Sequence, residues 1–210
     1  MEPHAGQPVV TRGPGIESSR AAMIMLHGRN AGPRNILDLA GVLADPTFTY
    51  LAPTASGGTW YPYSFMADRS SNEPGLSSGL WVIDRLVQDI ESRGIPKRRI
   101  VLLGFSQGAC LASEYAVRHA DRFGGVIALS GGLIGPPGTT WVSPGRFGGT
   151  PVFLGCSDVD GHVPKARVDE SAVVFERMGA AVTKRVYPGM GHLVNEDELE
   201  FARSVMAGVG

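Results

Sequence analysis

Short apolar runs alternate with amphipathic stretches along most of this chain. The runs are rich in β-branched residues and predict strands, whereas the stretches between them carry apolar residues every three or four positions, as on one face of a helix. The predicted strands are 22–27, 48–52, 99–105, 125–130, 151–156 and 183–187, and the predicted helices are 34–43, 76–93, 107–118, 165–178 and 196–206. This alternation is typical of an α/β domain with a mostly parallel sheet flanked by helices.

Two long segments, 53–74 and 131–149, interrupt the alternation and are rich in Gly, Pro and Ser. Loops of this length in a compact domain are usually functional. The first segment carries an aromatic cluster that contains Trp60, Tyr63 and Phe65. These three side chains either line a substrate cleft or fill the edge of the sheet, and the pattern leaves both interpretations open.

The predicted strand 99–105 leads through Gly104, Ser106 and Gly108 directly into a helical pattern. Gly-x-Ser-x-Gly between a strand and a helix predicts a nucleophile elbow, a tight turn that exposes a serine hydroxyl at the carboxyl edge of a sheet. The two glycines keep Cβ atoms out of a crowded space. We therefore expect Ser106 to be a catalytic nucleophile.

A serine nucleophile needs a histidine to accept its proton and a carboxylate to orient that histidine. The last predicted strand ends in a glycine-rich turn that leads to His192, which we expect to be the base. The strand that ends at Cys156 is followed by Asp158 and Asp160, and strand periodicity does not choose between them. In hydrolases of this architecture the order along the chain is Ser, acid, His.

The other four histidines have simpler interpretations. His119 closes the predicted elbow helix, where a cation complements the helix dipole, and His27 shapes the turn after its strand. His4 lies in residues 1–8, which we expect to form a mobile tail. His162 follows two aspartates, but no further ligand cluster supports a metal site, so we expect neither a metal nor an organic cofactor.

Composition narrows the function classes. The 210 residues fit one domain and leave no room for a large cap over the substrate. A formal net charge of -1, spread evenly, does not favour a nucleic-acid partner. The chain has no signal-like start and no long apolar run, so we expect a cytoplasmic protein without membrane insertion. Cys110 and Cys156 are expected to be buried free thiols.

Taken together, several motifs resemble the phospholipase/carboxylesterase family of α/β-hydrolases, which includes the acyl-protein thioesterases. The matching motifs, in order along nearly the whole chain, are Leu26-His-Gly28, Leu51-Ala-Pro53, Thr59-Trp-Tyr61, Gly104-Phe-Ser-Gln-Gly108, Leu129-Ser-Gly131, Asp160-Gly-His-Val-Pro164 and Gly191-His192. Asn72-Glu-Pro74 and the Ser-Gln-Gly-Ala-Cys form of the elbow resemble the bacterial carboxylesterase branch.

The resemblance implies a single-domain α/β-hydrolase fold over residues 1–210, with Asp160 as the acid of the triad. It also implies an oxyanion hole made by the backbone N–H groups of Arg29 and Gln107, although the family often has an apolar residue at the position of Arg29. We expect a serine carboxylesterase that hydrolyses small-molecule esters of short to medium chain length, including ends of aliphatic polyesters. The family also makes a homodimer plausible.

Two alternatives remain open at this point. The first is an acyl-protein thioesterase or lysophospholipase, which would need an apolar acyl channel that the sequence does not reveal. The second is a hydrolase-fold binding protein that has lost catalysis, and the presence of all three residue types of a triad argues against it. A lactone or dienelactone hydrolase is less favoured, because enzymes of the latter kind typically carry cysteine at the elbow, where this chain has Ser106.

Overall fold

A computed structural model describes residues 2–210 and shows one domain built on a seven-stranded sheet. The strands are β1 (Val9–Arg12), β2 (Ala21–Leu26), β3 (Phe48–Pro53), β4 (Ile100–Phe105), β5 (Gly125–Leu129), β6 (Pro151–Ser157) and β7 (Ala181–Tyr187). The helices are α1 (Pro33–Leu43), α2 (Gly75–Ser92), α3 (Gln107–Arg118), α4 (Lys165–Arg177) and α5 (Glu196–Ala207).

The spatial order of the strands is β1-β3-β2-β4-β5-β6-β7. All neighbouring pairs run parallel except β1 and β3, which are antiparallel. The strands β4, β5 and β6 therefore end at the same edge of the sheet, and the chain leaves each of them on that side. Residues that follow these strands are brought close together whatever their separation in sequence.

Helices cover both faces of the sheet because the central strands are apolar on both sides. In β2, Ile24 belongs to the apolar core that contains residues of α2, α3 and α4, whereas Met23 belongs to the core that contains residues of α1 and α5. The same alternation continues in β4, where Leu102 and Leu103 face opposite cores. Each face thus has its own apolar core, and this rigid sheet supports the loops at its carboxyl edge.

All six predicted strands and all five predicted helices are present, with bounds within two residues of the expectation. A capping box begins α5: the Asn195 side chain accepts a hydrogen bond from the Glu198 amide, and the Glu198 carboxylate accepts one from the Asn195 amide. The sequence pattern did not predict β1. This strand has only four mostly exposed residues at the edge of the sheet, so its apolar pattern is weak.

The expectation of a mobile tail over residues 1–8 is wrong for the described residues 2–8. His4 is only 3% exposed, and its Nε2 atom lies 2.8 Å from the carbonyl oxygen of Trp60. Its Nδ1 atom accepts a hydrogen bond from the amide of Ser56, and its own amide donates to the hydroxyl of Ser78. These contacts attach the N-terminal segment to the long 53–74 loop; Met1 lies outside the described residues.

Candidate active site

Ser106 occupies the turn between β4 and α3 in a strained backbone conformation, as expected for a nucleophile elbow. Its φ of 56° and ψ of -120° lie outside the favoured regions for residues other than glycine, which costs about 1–3 kcal/mol. Hydrogen bonds hold this backbone: the Ser106 amide donates to the Leu129 carbonyl, and the Ser106 carbonyl accepts from the Cys110 amide. The predicted elbow geometry is therefore present.

The two glycines of the elbow are required by close backbone contacts. A Cβ atom on Gly104 would clash with the carbonyl of Gly108, and one on Gly108 would clash with the carbonyl of Leu26. The helix α3 can begin immediately beneath Ser106 only because both positions lack a side chain. The Gly-x-Ser-x-Gly pattern thus has a direct steric explanation in this fold.

His192 connects Ser106 with Asp160. The Nε2 atom of His192 lies 2.8 Å from Oγ of Ser106, and its Nδ1 atom lies 2.7 Å from Oδ2 of Asp160. Since an ionised carboxylate only accepts, Nδ1 carries the proton and Nε2 is free to accept from the serine hydroxyl. The arrangement has the geometry of a Ser-His-Asp triad.

Asp160 is held by three donors. One carboxylate oxygen accepts hydrogen bonds from the amides of His162 and Val163, at 2.8 and 3.0 Å, while the other faces His192. Burial by itself raises the pKa of Asp160, but the bonds from His192 and the two amides outweigh it and hold the pKa below its usual value. Asp160 is therefore a charged acceptor at neutral pH.

Asp158 occupies a different place in the same loop. Its side chain is exposed and accepts a hydrogen bond from the amide of Gly189, in the turn that leads to His192. It makes no hydrogen bond to His192 within residues 2–210. The geometry therefore distinguishes the two aspartates that strand periodicity left equivalent.

The amides of Arg29 and Gln107 lie beside Ser106 at the ends of β2 and β4, and both residues line its pocket. Within residues 2–210, neither N–H group donates a hydrogen bond to another protein group. The following amide, that of Asn30, does: it donates to the Gly58 carbonyl at 2.8 Å. Two free donors beside the nucleophile are the arrangement that an oxyanion needs.

Ser106 lies at the base of a cavity of about 600 Å³. Its walls include Tyr63 and Phe65, as expected; Tyr63 is 61% exposed at the rim and Phe65 is buried deeper. The expectation for Trp60 is corrected, because this side chain is fully buried and does not line the cavity. Its Nε1 atom donates to the His27 carbonyl, and its ring packs against the rings of His27 and His4.

His27 has the structural role that its position suggested. Its Nδ1 atom donates to the carbonyl of Gly28 and its Nε2 atom accepts from the amide of Ala55, so the ring is neutral. Burial lowers the pKa of His27, and this effect exceeds the opposing effect of the Gly28 carbonyl. His27 therefore stabilises the turn that carries Arg29.

Several further residues near the site make contacts that the sequence did not predict. The rings of Phe105 and His162 lie close to the His192 ring, with ring centroids 5.0 and 4.8 Å away. Asn72 is fully buried and binds the aromatic segment through the Tyr63 amide and the Ser64 carbonyl. An asparagine in a polar loop gives no local signal of burial, so the family motif that contains Asn72 did not reveal these contacts.

The second long loop, 131–149, does not reach the pocket. It packs instead on α3, where the buried carboxylate of Glu114 accepts hydrogen bonds from the Ile134 amide and from Nε1 of Trp141. Glu114 is also within ion-pair distance of Arg69 and Arg118. This loop therefore covers the elbow helix α3. Of the two long loops that we expected to be functional, only 53–74 contributes residues to the pocket lining.

The remaining polar candidates are accounted for by local contacts. Cys110 and Cys156 are buried free thiols, as predicted, and burial raises their pKa values to about 12 and about 11. His119 lies at the C-terminus of α3 and its ring stacks on Tyr115. Within residues 2–210, no three His, Cys, Asp or Glu side chains are grouped so that they could hold a metal ion.

Comparison with known proteins shows the family of this chain. The family model of phospholipase/carboxylesterase matches residues 13–208. The chain belongs to this family. It is an α/β-hydrolase fold enzyme, a serine hydrolase of the carboxylesterase or acyl-protein thioesterase type, and its class of reaction is carboxylic ester hydrolysis. Among residues 2–210, no helix has both the length and the apolar character needed to cross a bilayer.

Individual relatives show how far the likeness extends. Acyl-protein thioesterase 1 of Saccharomyces cerevisiae is 31% identical over 164 residues, which are 74% of this chain and 72% of that protein. The Neurospora crassa protein of the same name is 33% identical over 135 residues, a little over half of its length at 55%. A phospholipase/carboxylesterase structure from Dyadobacter fermentans superposes with a TM-score of 0.93 at 40% identity, covering 99% of both chains.

Proposed function

We propose that this chain is a serine carboxylesterase that cleaves short- to medium-chain esters through an acyl-enzyme intermediate. The hydrogen-bonded series Ser106–His192–Asp160 at the base of an open pocket is the observation that carries the proposal. The similarity to the Dyadobacter fermentans phospholipase/carboxylesterase over nearly the whole chain supports the assignment to an ester-cleaving branch.

Each step has a donor or acceptor in place. Oγ of Ser106 attacks the ester carbonyl carbon while its proton passes to Nε2 of His192, and Asp160 stabilises the resulting imidazolium. The amides of Arg29 and Gln107 donate to the oxygen that becomes negative, at about 3 kcal/mol of transition-state stabilisation per donor. His192 then protonates the departing alkoxide.

The second half of the reaction uses the same groups. A water molecule enters the place of the alcohol, gives a proton to His192 and attacks the acyl carbon. The tetrahedral intermediate collapses, Ser106 regains its proton from His192, and the carboxylic acid leaves. No metal ion or organic cofactor takes part in these steps.

The pocket favours short and medium acyl groups. It is open to solvent at Tyr63, and no part of residues 2–210 forms a separate cap over it, so a long acyl chain would leave much of its apolar surface in water. An open cleft of this kind also suits ester bonds near the ends of aliphatic polyesters. These substrates, a homodimeric state and a cytoplasmic location stay predictions.

Thioester hydrolysis is the second candidate, because relatives such as the Saccharomyces cerevisiae protein carry the name acyl-protein thioesterase. The same nucleophile, base and oxyanion donors would cleave a thioester. The two candidates differ in the acyl chain that the pocket must hold, and an assay with both substrate types distinguishes them.

The deciding experiment compares nitrophenyl esters from acetate to palmitate, and a palmitoyl thioester, on the wild type and on Ser106→Ala. We expect highest activity on the shorter esters and a loss on the order of a million-fold in the variant. Ser64→Ala is the matched control, since Ser64 lines the same pocket but accepts from the Met66 amide instead.

Three other results would contradict parts of the proposal. A preference for the palmitoyl thioester would favour the thioesterase candidate. Wild-type activity in a folded Ser106→Ala variant would mean that Ser106 is not the nucleophile. Absence of hydrolysis by the wild type on every substrate would favour a binding protein of the same fold.

A further inference from the structure

We propose that the side chain of Arg29 is a positioning and specificity-determining group that clamps the pocket wall and orients the oxyanion amide of the same residue. The wall segment is defined here as residues 60–65, which bear Tyr63 and Phe65. The inference rests on the proposed function, because the Arg29 amide affects the reaction only if Ser106 carries out the attack.

The guanidinium of Arg29 binds three consecutive carbonyl groups of the wall segment. Its Nη1 atom donates to Pro62 at 2.8 Å, and its Nη2 atom donates to Tyr61 at 2.9 Å and to Tyr63 at 2.7 Å. The guanidinium carbon also lies 6.0 Å from the centre of the Tyr61 ring. A planar group with several donors is suited to fasten a bend of the backbone in this way.

Gln107, the other residue that offers an oxyanion amide, holds the same segment. Its Oε1 atom accepts from the Trp60 amide at 2.9 Å, and its Nε2 atom donates to the Tyr61 carbonyl at 2.8 Å. The Tyr61 carbonyl therefore accepts from both Gln107 and Arg29. The side chains of Arg29 and Gln107, whose amides we assign to the oxyanion hole, are thus linked through the Tyr61 carbonyl oxygen.

Arg29 is needed because the outer part of the wall segment lacks packing. Tyr61 and Phe65 are buried, but Pro62, Tyr63 and Ser64 are exposed. Asn72 binds the far side through the Tyr63 amide and the Ser64 carbonyl. Arg29 supplies the bonds on the near side, and without them we expect the exposed tip to move on the timescale of loop motion.

The clamp also affects the turn that carries the Arg29 amide. The next residue, Asn30, has a φ of 58° and donates its amide to the carbonyl of Gly58, in the same long loop. The turn is thus fastened to this loop at Asn30 by the backbone, at His27 by the bonds described above, and at Arg29 by the side chain. Loss of the Arg29 bonds removes the attachment made by the residue that offers the oxyanion amide, and we expect the Arg29 N–H to change direction.

The charge of Arg29 is not sufficient for this role. Arg29 is the one side chain with a permanent charge among the described residues that line the pocket. A lysine would keep the charge, but a single ammonium nitrogen on a flexible stem does not match three carbonyls at once. Arg29→Lys therefore separates the effect of charge from that of the clamp, while Arg29→Met removes both.

The experiment measures kcat and KM on nitrophenyl butyrate and octanoate for the wild type, Arg29→Met, Arg29→Lys and the control Arg34→Met. We expect kcat on butyrate to fall on the order of 10- to 100-fold in both Arg29 variants, because the oxyanion donor is misplaced. We also expect the ratio of kcat/KM between the two esters to move towards one. Arg34 is exposed on α1, and its variant should match the wild type.

Hydrogen exchange of the peptide that spans residues 59–66 provides a readout that does not depend on activity. Faster exchange in both Arg29 variants, with unchanged exchange in the core strands, supports the clamp. Unchanged exchange would overturn it. Wild-type kinetics in Arg29→Lys together with loss in Arg29→Met would also overturn it, because charge alone would then suffice.

The same measurements separate this inference from the proposed function. If the wild type shows no hydrolysis that depends on Ser106, the proposed function fails and the positioning role of Arg29 fails with it, even where exchange becomes faster. If hydrolysis depends on Ser106 but both Arg29 variants keep wild-type kcat and the same preference between the two esters, the proposed function stands and the role of Arg29 is refuted.

Discussion

Replacing Asp160 by asparagine tests the triad at its least obvious member. The amide oxygen of the new side chain would remain with the two backbone donors, His162 and Val163, because an NH₂ group could not accept from them. The NH₂ group would then face Nδ1 of His192. That nitrogen would have to accept, so the proton would move to Nε2, which could no longer accept from Ser106.

The expected loss follows from this change of tautomer. With the imidazole in the wrong form, kcat should fall by about 10⁴-fold, equivalent to about 5.5 kcal/mol of activation free energy. Asp158→Asn is the matched control. Its amide oxygen can still accept from Gly189, so we expect its kcat to stay within about threefold of the wild type, as for a surface substitution.

The assay is nitrophenyl butyrate hydrolysis at pH 8, with circular dichroism to verify that both variants are folded. The substitution keeps the size of the side chain and the two backbone hydrogen bonds, so the Asp160 variant should fold. A folded Asp160→Asn enzyme with kcat within tenfold of the wild type would refute the tautomer argument. A larger loss in Asp158→Asn would assign the acid to the other aspartate.

Three further expectations concern stability. Gly108→Ala should prevent native folding or cost more than about 3 kcal/mol, seen as loss of soluble protein or a lower Tm, because its Cβ would meet the Leu26 carbonyl. His4→Ala should lower the free energy of unfolding by about 1–3 kcal/mol in urea titrations, since the Ser56 amide loses its acceptor; an unchanged midpoint would show that the N-terminal segment contributes nothing. Burial lowers the pKa of His27, so the unfolded chain binds the proton more tightly than the folded protein does. The stabilisation from the neutral His27 should therefore be fully present above the ordinary histidine pKa of about 6.5 and decline as pH falls below it. We expect His27→Gln to flatten this decline in urea titrations between pH 8 and pH 5.

Much of the fold could be predicted because its signals are local. The apolar runs of β2, β4, β5 and β6 are buried on both faces, so each appears as a continuous run bounded by turn residues. Helix boundaries follow from capping and from glycine, as at Asn195. The edge strand β1 was not predicted, because it is short and exposed and has no run of apolar residues. Its pairing with β3, which is distant in sequence, stabilises it.

Residue chemistry and spacing are also sufficient to single out Ser106 and His192. The elbow is a local steric solution, and the glycine-rich turn before His192 is equally local. The sequence alone therefore determined the alternating architecture, the nucleophile candidate and the base candidate. Each depends on a handful of neighbouring residues whose conformations are set by backbone sterics and short-range hydrogen bonds.

Tertiary structure decided what neighbouring residues could not. Asp160, not Asp158, makes the hydrogen bond to His192, which lies 32 residues further along the chain than Asp160. Trp60 is fully buried outside the pocket lining, whereas Tyr63 lines the pocket and is exposed, although both belong to one aromatic cluster. The clamp of Arg29 on the wall segment spans more than 30 residues. Such contacts depend on how distant segments meet at the edge of the sheet, and no local preference of the chain encodes that meeting.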